Sequence, residues 1–251
     1  MTSARYDAIG IDYARFRTED PKIAALVHAA LGDAKTVVNV GAGAGSYEPD
    51  DRWVLAVEPS DVMAAQRPPH RRPALRGSAG TLPLRDASVD AAMAMVTIHH
   101  WDEERGRGVR ELRRVARGPV VILTYDAEVS AKMWLMADYL PEVAALDRRI
   151  FPPLDAVARW LGGTSEVTVI PLSRSTPDRM LGAFWAHPEW VLDPGARAAT
   201  SGFARMDPAV VARVVAAVKR DLESGEWDRR HGGLRDLDEY DAGLRLLVAN
   251  P

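Results

Sequence analysis

Apolar residues recur along this chain with two periods, and the switch between them predicts the architecture. Ile23, Leu26, Val27, Ala30 and Leu31 follow the i, i+3, i+4, i+7, i+8 spacing of one buried helix stripe. Asp20 stands before the run as an N-cap, Pro21 suits the first helical position, and Gly32 stops it. The period then changes. Thr36-Val37-Val38-Asn39-Val40 is a short, continuous run rich in β-branched residues, as a strand covered on both faces requires. Comparable runs lie at 53–57, 91–96, 119–124, 167–172 and 244–249. Helical spacing lies between several of them, as at 102–116, where Val109, Leu112, Val115 and Ala116 share a face, and again from Asp207-Pro208 to Leu222. Strand alternating with helix predicts an α/β fold: a doubly wound, mostly parallel sheet flanked by helices, in a single domain over 1–251.

Two stretches, 128–160 and 178–203, break that rhythm and are expected to form a small cap or lid on one rim of the sheet. They are rich in large side chains. Trp134, Tyr139, Phe184, Trp185 and Trp190 suit a pocket wall, and they suit core packing equally well.

Composition narrows the function classes. A net charge of −3 gives no basic field for nucleic acid or an anionic membrane. The absence of cysteine excludes disulfides, zinc–thiolate sites and thiol nucleophiles. The opening residues have no apolar stretch of a secretory leader, and no later run is long enough for a bilayer, so the expected location is cytoplasmic. Neither an H-E-x-x-H metal signature nor a G-x-S-x-G nucleophile elbow occurs, and no resident metal is expected.

The candidate chemistry begins directly after the first strand, at Gly41-Ala42-Gly43-Ala44-Gly45. Glycines there permit a tight turn and let a ligand approach the backbone with no Cβ in the way. A dinucleotide fingerprint needs its third glycine at the sixth position, where this chain has Ser46. Glu58 ends the next strand, where an acid about 20 residues beyond such a loop can accept hydrogen bonds from both ribose hydroxyls. Loop and acid together indicate an adenosine site.

These segments resemble, in order, the motifs of class I S-adenosylmethionine (SAM)-dependent methyltransferases. The residues that carry the likeness are Val38 to Gly45, Ala56-Val57-Glu58-Pro59-Ser60, Gly77 to Leu84 with Ser88-Val89-Asp90, Thr97-Ile98-His99-His100-Trp101, and Glu111 to Val115. The pattern is similar to that of the ubiquinone/menaquinone-biosynthesis branch, and it covers residues 6–126. Asn39 and Ser78 stand where many relatives have Asp. The resemblance implies a Rossmann-like sheet of order 3-2-1-4-5-7-6 with the last strand antiparallel, and SAM as cofactor. It also implies roles. Gly41, Ala42 and Gly43 would pass beside the methionine moiety, with Asn39 orienting the loop. Glu58 would hold the ribose, Pro59 and Met63 would cover the adenine, and Ser78 and Ala79 would meet its edge. Thr97 would lie beside the methionine part. Residues 1–20 would fold over the cofactor, with Tyr13 capping it and Arg17 pairing with its carboxylate.

Methyl transfer needs a base only where the nucleophile must lose a proton. His99 and His100 follow the fourth strand, and His187 lies in an aromatic insert; each is a candidate, and each also reads as a packing residue. The expected function is methyl transfer from SAM to O, N or C of a small molecule, in secondary metabolism. The alternatives are a SAM-binding cyclase, a non-catalytic SAM-binding partner, and a nicotinamide-dependent oxidoreductase, against which the glycine spacing counts. The strand ending Thr97-Ile98-His99-His100 lacks the proline-bearing grip on a flipped base, so no nucleic-acid substrate is expected. Substrate identity, acceptor atom and oligomeric state stay open.

Overall fold

Helix α1 (Pro21–Ala30) starts at the expected cap: the Asp20 carboxylate accepts a hydrogen bond from the Lys22 amide at 2.8 Å, and Pro21 occupies the first turn. The computed structural model describes residues 17–162 and 165–250. The buried stripe of α1 is Ile23, Val27 and Leu31, whereas Leu26 is 42% exposed. One residue is about 100° of helix rotation, and that step from Val27 carries Leu26 off a stripe this narrow.

The strands are β1 (Thr36–Val40), β2 (Trp53–Glu58), β3 (Leu75–Arg76), β4 (Ala91–Met95), β5 (Val120–Tyr125), β6 (Glu166–Val169), β7 (Leu172–Ser173), β8 (Glu239–Tyr240) and β9 (Leu244–Ala249). Seven form one sheet in the order β3-β2-β1-β4-β5-β9-β6, and β7 pairs with β8 separately. β1 runs parallel to β2 and β4, and β4 to β5, while β9 is antiparallel to both β5 and β6. Counting the main sheet alone, this is the expected 3-2-1-4-5-7-6. Two details differ from the apolar-run reading. β3 has two residues, both exposed at an edge, and is too short to leave a pattern. The run at 167–172 divides, its first part forming the exposed edge strand β6 and its last residue opening β7.

The central strands alternate between two cores, as a period of two requires. Val37, Met93, Val121 and Leu123 pack on the α1 side, and Val38, Ala92, Ala94 and Ile122 on the other. After α2 (Asp61–Ala64), helix α3 (Arg105–Val115) covers that second face with Val109, Leu112 and Val115. The expected helix at 102–116 begins late because Asp102 has φ +46°, outside the helical region, and residues Asp102–Glu104 form a 3-10 turn instead.

The irregular stretches are mostly helical. The first carries α4 (Ala127–Ser130), a π-turn at Leu135–Tyr139, α5 (Pro141–Ile150) and α6 (Leu154–Trp160). The second carries 3-10 turns at Leu181–Ala186 and Pro188–Leu192, then α7 (Pro194–Ala198), followed by α8 (Ser201–Ala204). Their aromatics are claimed mainly by packing: Trp134, Tyr139, Phe184 and Trp185 are core residues on the α1 side of the sheet. Trp134 Nε1 donates to the Trp185 carbonyl at 3.1 Å, and the Tyr139 hydroxyl donates to Asp221 at 2.9 Å. These partners satisfy the polar ends that burial would otherwise strand. Helices α9 (Pro208–Glu223) and α10 (Glu226–His231) lead back to β8 and β9, and no described helix is long and apolar enough to cross a membrane.

Candidate active site

β2 and β4 flank β1 on opposite sides, so the chain leaves β1 one way and β4 the other, opening a crevice at the carboxyl ends of the strands. A cleft of about 1070 Å³ occupies it. Ten of the residues singled out from the sequence for the cofactor line this cleft together: Arg17, Gly41, Ala42, Gly43, Glu58, Pro59, Met63, Ser78, Ala79 and Thr97.

The glycine loop is fixed from both sides. The amides of Gly41 and Ala42 donate to the Val57 carbonyl at 2.8 and 3.1 Å, extending the β1–β2 pairing into the turn. Gly41 has φ +69°, and a Cβ there would collide with the Thr97 side chain, so conformation and space both require glycine. Glu58, 7% exposed, closes the loop from β2: one carboxylate oxygen accepts from the Gly43 amide and the other from the Ser60 amide, each at 2.8 Å. Ser60 in turn caps α2 by accepting from the Met63 amide at 3.3 Å, which seats the Met63 thioether on the cleft wall. A loop that excludes a Cβ at Gly41, a carboxylate at the second strand end and apolar Met63 and Ala79 fit a nucleoside bearing a sulfonium-linked amino acid.

Asn39 acts on the loop from below. It is 1% exposed and outside the cleft, donating from Nδ2 to Glu48 at 2.9 Å. Arg67 holds Glu48 with two bonds of 3.0 and 2.7 Å, and its guanidinium also reaches the Gly43 carbonyl at 3.4 Å. The departure to Asn thereby has a physical reason: a carboxylate at position 39 would face the Glu48 carboxylate. Glu48 and Arg67 carry no motif or period and were not legible beforehand; the amide at 39 was the one trace of them.

Arg17 reaches the cleft, but its guanidinium is gripped by the buried Asp178 at 2.5 and 3.1 Å, a protein carboxylate in the place expected for the cofactor's. Tyr13 lies outside the described residues.

The two adjacent histidines diverge. His100 lines the cleft, and its Nδ1 is 2.9 Å from Arg205 Nη2; a guanidinium can only donate, so Nδ1 accepts. His99, 3% exposed, lines a second, smaller pocket of about 70 Å³ and stacks on Phe151 at 4.1 Å between ring centres. His187 lines neither: its ring stacks on Trp190 at 4.0 Å and its Nε2 lies 2.8 Å from the Arg174 carbonyl. Val96 and Arg17 line both cleft and pocket. Val96 sits there at φ +49°, a conformation that costs a β-branched residue about 1–3 kcal/mol and points to a local demand on the backbone. Also in the smaller pocket is Asp147, which periodicity did not mark; burial pushes its carboxyl up to about 7, with Arg205 pulling the other way. Among the described residues no group of three His, Asp or Glu is arranged to hold a metal ion.

Comparison with known proteins gives three kinds of result. A family model described as a methyltransferase domain matches residues 38–122. A methyltransferase assigned to an antibiotic biosynthesis pathway of Anabaena variabilis is 31% identical, with a TM-score of 0.86 over 93% of this chain and 98% of its own. More distant structures share the fold. Phosphoethanolamine N-methyltransferase 2 of Haemonchus contortus, in complex with phosphomonomethylethanolamine and S-adenosylhomocysteine, has a TM-score of 0.58 at 12% identity, over 99% of this chain and 58% of its own. The cyclase SpnF has 0.54 at 16% identity, over 98% and 93%. No curated protein matches the chain.

Proposed function

The chain belongs to the class I SAM-dependent methyltransferases, and we propose that it methylates a small-molecule acceptor of secondary metabolism, seated in the pocket beside Val96. Family membership sets aside the nicotinamide-dependent reading. The spelling of the motifs from Val38 to Val115 supports a place near the ubiquinone/menaquinone-type branch.

SAM supplies a methyl group on an electrophilic sulfonium, and what this chain must add is orientation and exclusion of water. Glu58 is the residue to hold the ribose hydroxyls, since two backbone amides already fix its carboxylate plane at the cleft wall. The Gly41–Gly43 backbone and Thr97 take the amino-acid part. Pro59 and Met63 cover the adenine, and Ser78 and Ala79 border its edge.

The observation that carries the reading is the junction at Val96 and Arg17, shared by a cleft suited to the cofactor and a smaller pocket of mixed polar and apolar lining. Stretches 128–160 and 178–203 form the cap that selects the acceptor: the first furnishes Met136, Asp147 and Phe151, the second Met180, Gly182 and Thr200. Where the acceptor atom is an oxygen, His99 is the side chain on the strand side to take its proton. Calorimetry with S-adenosylhomocysteine tests the premise. Wild type binds, and Glu58→Ala binds more weakly by about 1–3 kcal/mol, the loss expected for hydrogen bonds to a charged group. No binding by wild type at millimolar ligand, or equal affinity in the variant, would overturn the assignment.

A further inference from the structure

Asp147 stands apart from the hydroxyl groups and the ion pair that line the smaller pocket. Ser130 Oγ donates within its wall to the carbonyls of Asp126 and Ala242, at 2.9 and 3.0 Å. Thr200 Oγ1 donates to the Arg197 carbonyl at 3.0 Å, the Tyr125 hydroxyl to Met180 Sδ at 2.8 Å, and Arg17 is held by Asp178. Asp147 differs. On α5, half-buried among Val96, Met136, Phe151 and Met180, its carboxyl makes no hydrogen bond among the described residues. Its oxygens are open to the pocket, where a ligand donor can hydrogen-bond them.

Charge indicates what that ligand is. Arg205 acts on Asp147 through space and offsets its negative charge, while Arg17 and Asp178 cancel each other. A neutral ligand keeps this balance, whereas an ammonium would leave an uncompensated positive charge in an apolar pocket. We infer that Asp147 recognises the acceptor, accepting a hydrogen bond from a hydroxyl group of a neutral, largely apolar molecule. It holds the acceptor from the cap side while Val96 and His99 face it from the strand side. This rests on the pocket being the acceptor site. At about 70 Å³ the pocket is smaller than the ~150 Å³ that accommodates benzene. It takes the head of the acceptor, and the flexible side chains of Met136 and Met180 set how far it widens.

The carboxyl titrates at about 7, so hydroxyl binding strengthens as the pH rises through that value. The other groups around it are Arg205, His99, His100, Tyr125 and the Arg17–Asp178 pair. The pH dependence is assigned to Asp147 by its loss in Asp147 variants.

Phenol, toluene and benzylamine serve as probes, titrated by NMR into protein saturated with S-adenosylhomocysteine. In wild type, phenol binds about 10-fold tighter than toluene or better, and benzylamine binds more weakly than phenol. In Asp147→Asn and Asp147→Leu the phenol advantage shrinks to roughly twofold or less and its pH dependence disappears, while affinity for S-adenosylhomocysteine is retained. Phenol no tighter than toluene in wild type, an advantage that persists in both variants, or benzylamine as the tightest probe overturns the inference. With S-adenosylhomocysteine binding intact, those outcomes strike Asp147 alone; a wild type that fails to bind S-adenosylhomocysteine overturns both this inference and the reading beneath it.

Discussion

The two walls that meet at Val96 are built by different means. On the proposed cofactor side, backbone does most of the positioning: the Gly41 and Ala42 amides on Val57, the Gly43 and Ser60 amides on Glu58, and no room for a Cβ at Gly41. On the proposed acceptor side the surface is made of side chains from distant segments, Val96, Tyr125, Asp147, Phe151, Met180 and Thr200, brought together by packing. A backbone-built wall constrains residue types at fixed local spacing and is shared wherever the ligand is shared. A side-chain wall can be rewritten position by position without disturbing the sheet. Perturbations on the first wall should therefore register as cofactor affinity or stability, and on the second as turnover and acceptor choice.

The sharpest test of that division is His99→Gln. If His99 takes a proton from an acceptor oxygen, kcat falls by about 10²–10⁴-fold while affinity for S-adenosylhomocysteine is unchanged, because the ring lies in the smaller pocket rather than the cleft. Steady-state kinetics beside calorimetry separate the two effects. A variant that loses cofactor affinity and keeps turnover at saturating SAM would break the comparison, assigning His99 to the cofactor wall.

The division also accounts for what could be read beforehand. Sheet order, the α1 cap and a cleft at the glycine loop follow from short patterns: β-branched runs, Asp20-Pro21, a glycine loop and an acid at a strand end. Each is a local rule of backbone geometry. Asp147 was invisible because α5 presents it as one charged residue among several, and its significance comes from the strand ends and the second insert packed opposite it. Asp178 was invisible for the same reason: nothing near it in sequence indicates Arg17, 161 residues away. The aromatics of the inserts pointed to a pocket, but Trp134 and Trp185 pack inside the core, where Trp134 Nε1 donates to the Trp185 carbonyl, and of the insert aromatics Phe151 lines the smaller pocket.

A second test works on the cofactor wall alone. Gly41→Ala adds a Cβ that meets Thr97 and imposes a left-handed conformation on alanine. Overpacking and conformational strain together cost about 3 kcal/mol. Urea unfolding should show that loss, with weaker S-adenosylhomocysteine binding beside it. Thr97→Ser in the same background removes the methyl group from the collision and should recover part of the stability. Wild-type stability in Gly41→Ala would show that the loop has room to move, and that the cofactor wall is less rigid than its hydrogen bonds imply.

The smallest expected effect is the most pointed, because its sign is opposite to that of most substitutions. Below about pH 3 the Asp147 carboxyl is mostly neutral in folded and unfolded chains alike. As the pH rises, the unfolded chain ionises first and the folded one lags, since burial holds its carboxyl up at about 7. The folded state then binds more protons than the unfolded state, so stability falls across the interval from about pH 4 to about 7 and stays lower above it. Asp147→Asn removes the ionisation. The variant should match wild type near pH 3 and exceed it at pH 8 by about 1–2 kcal/mol, less than the full shift implies because the group is half-buried and partly screened. Urea unfolding at the two pH values measures the difference. A gain in stability that accompanies a loss of phenol binding would show a carboxylate held against the interest of the fold, as groups retained for a ligand commonly are. A variant less stable than wild type at pH 8 would instead make Asp147 a structural residue, and the acceptor wall would have to find its hydroxyl partner elsewhere.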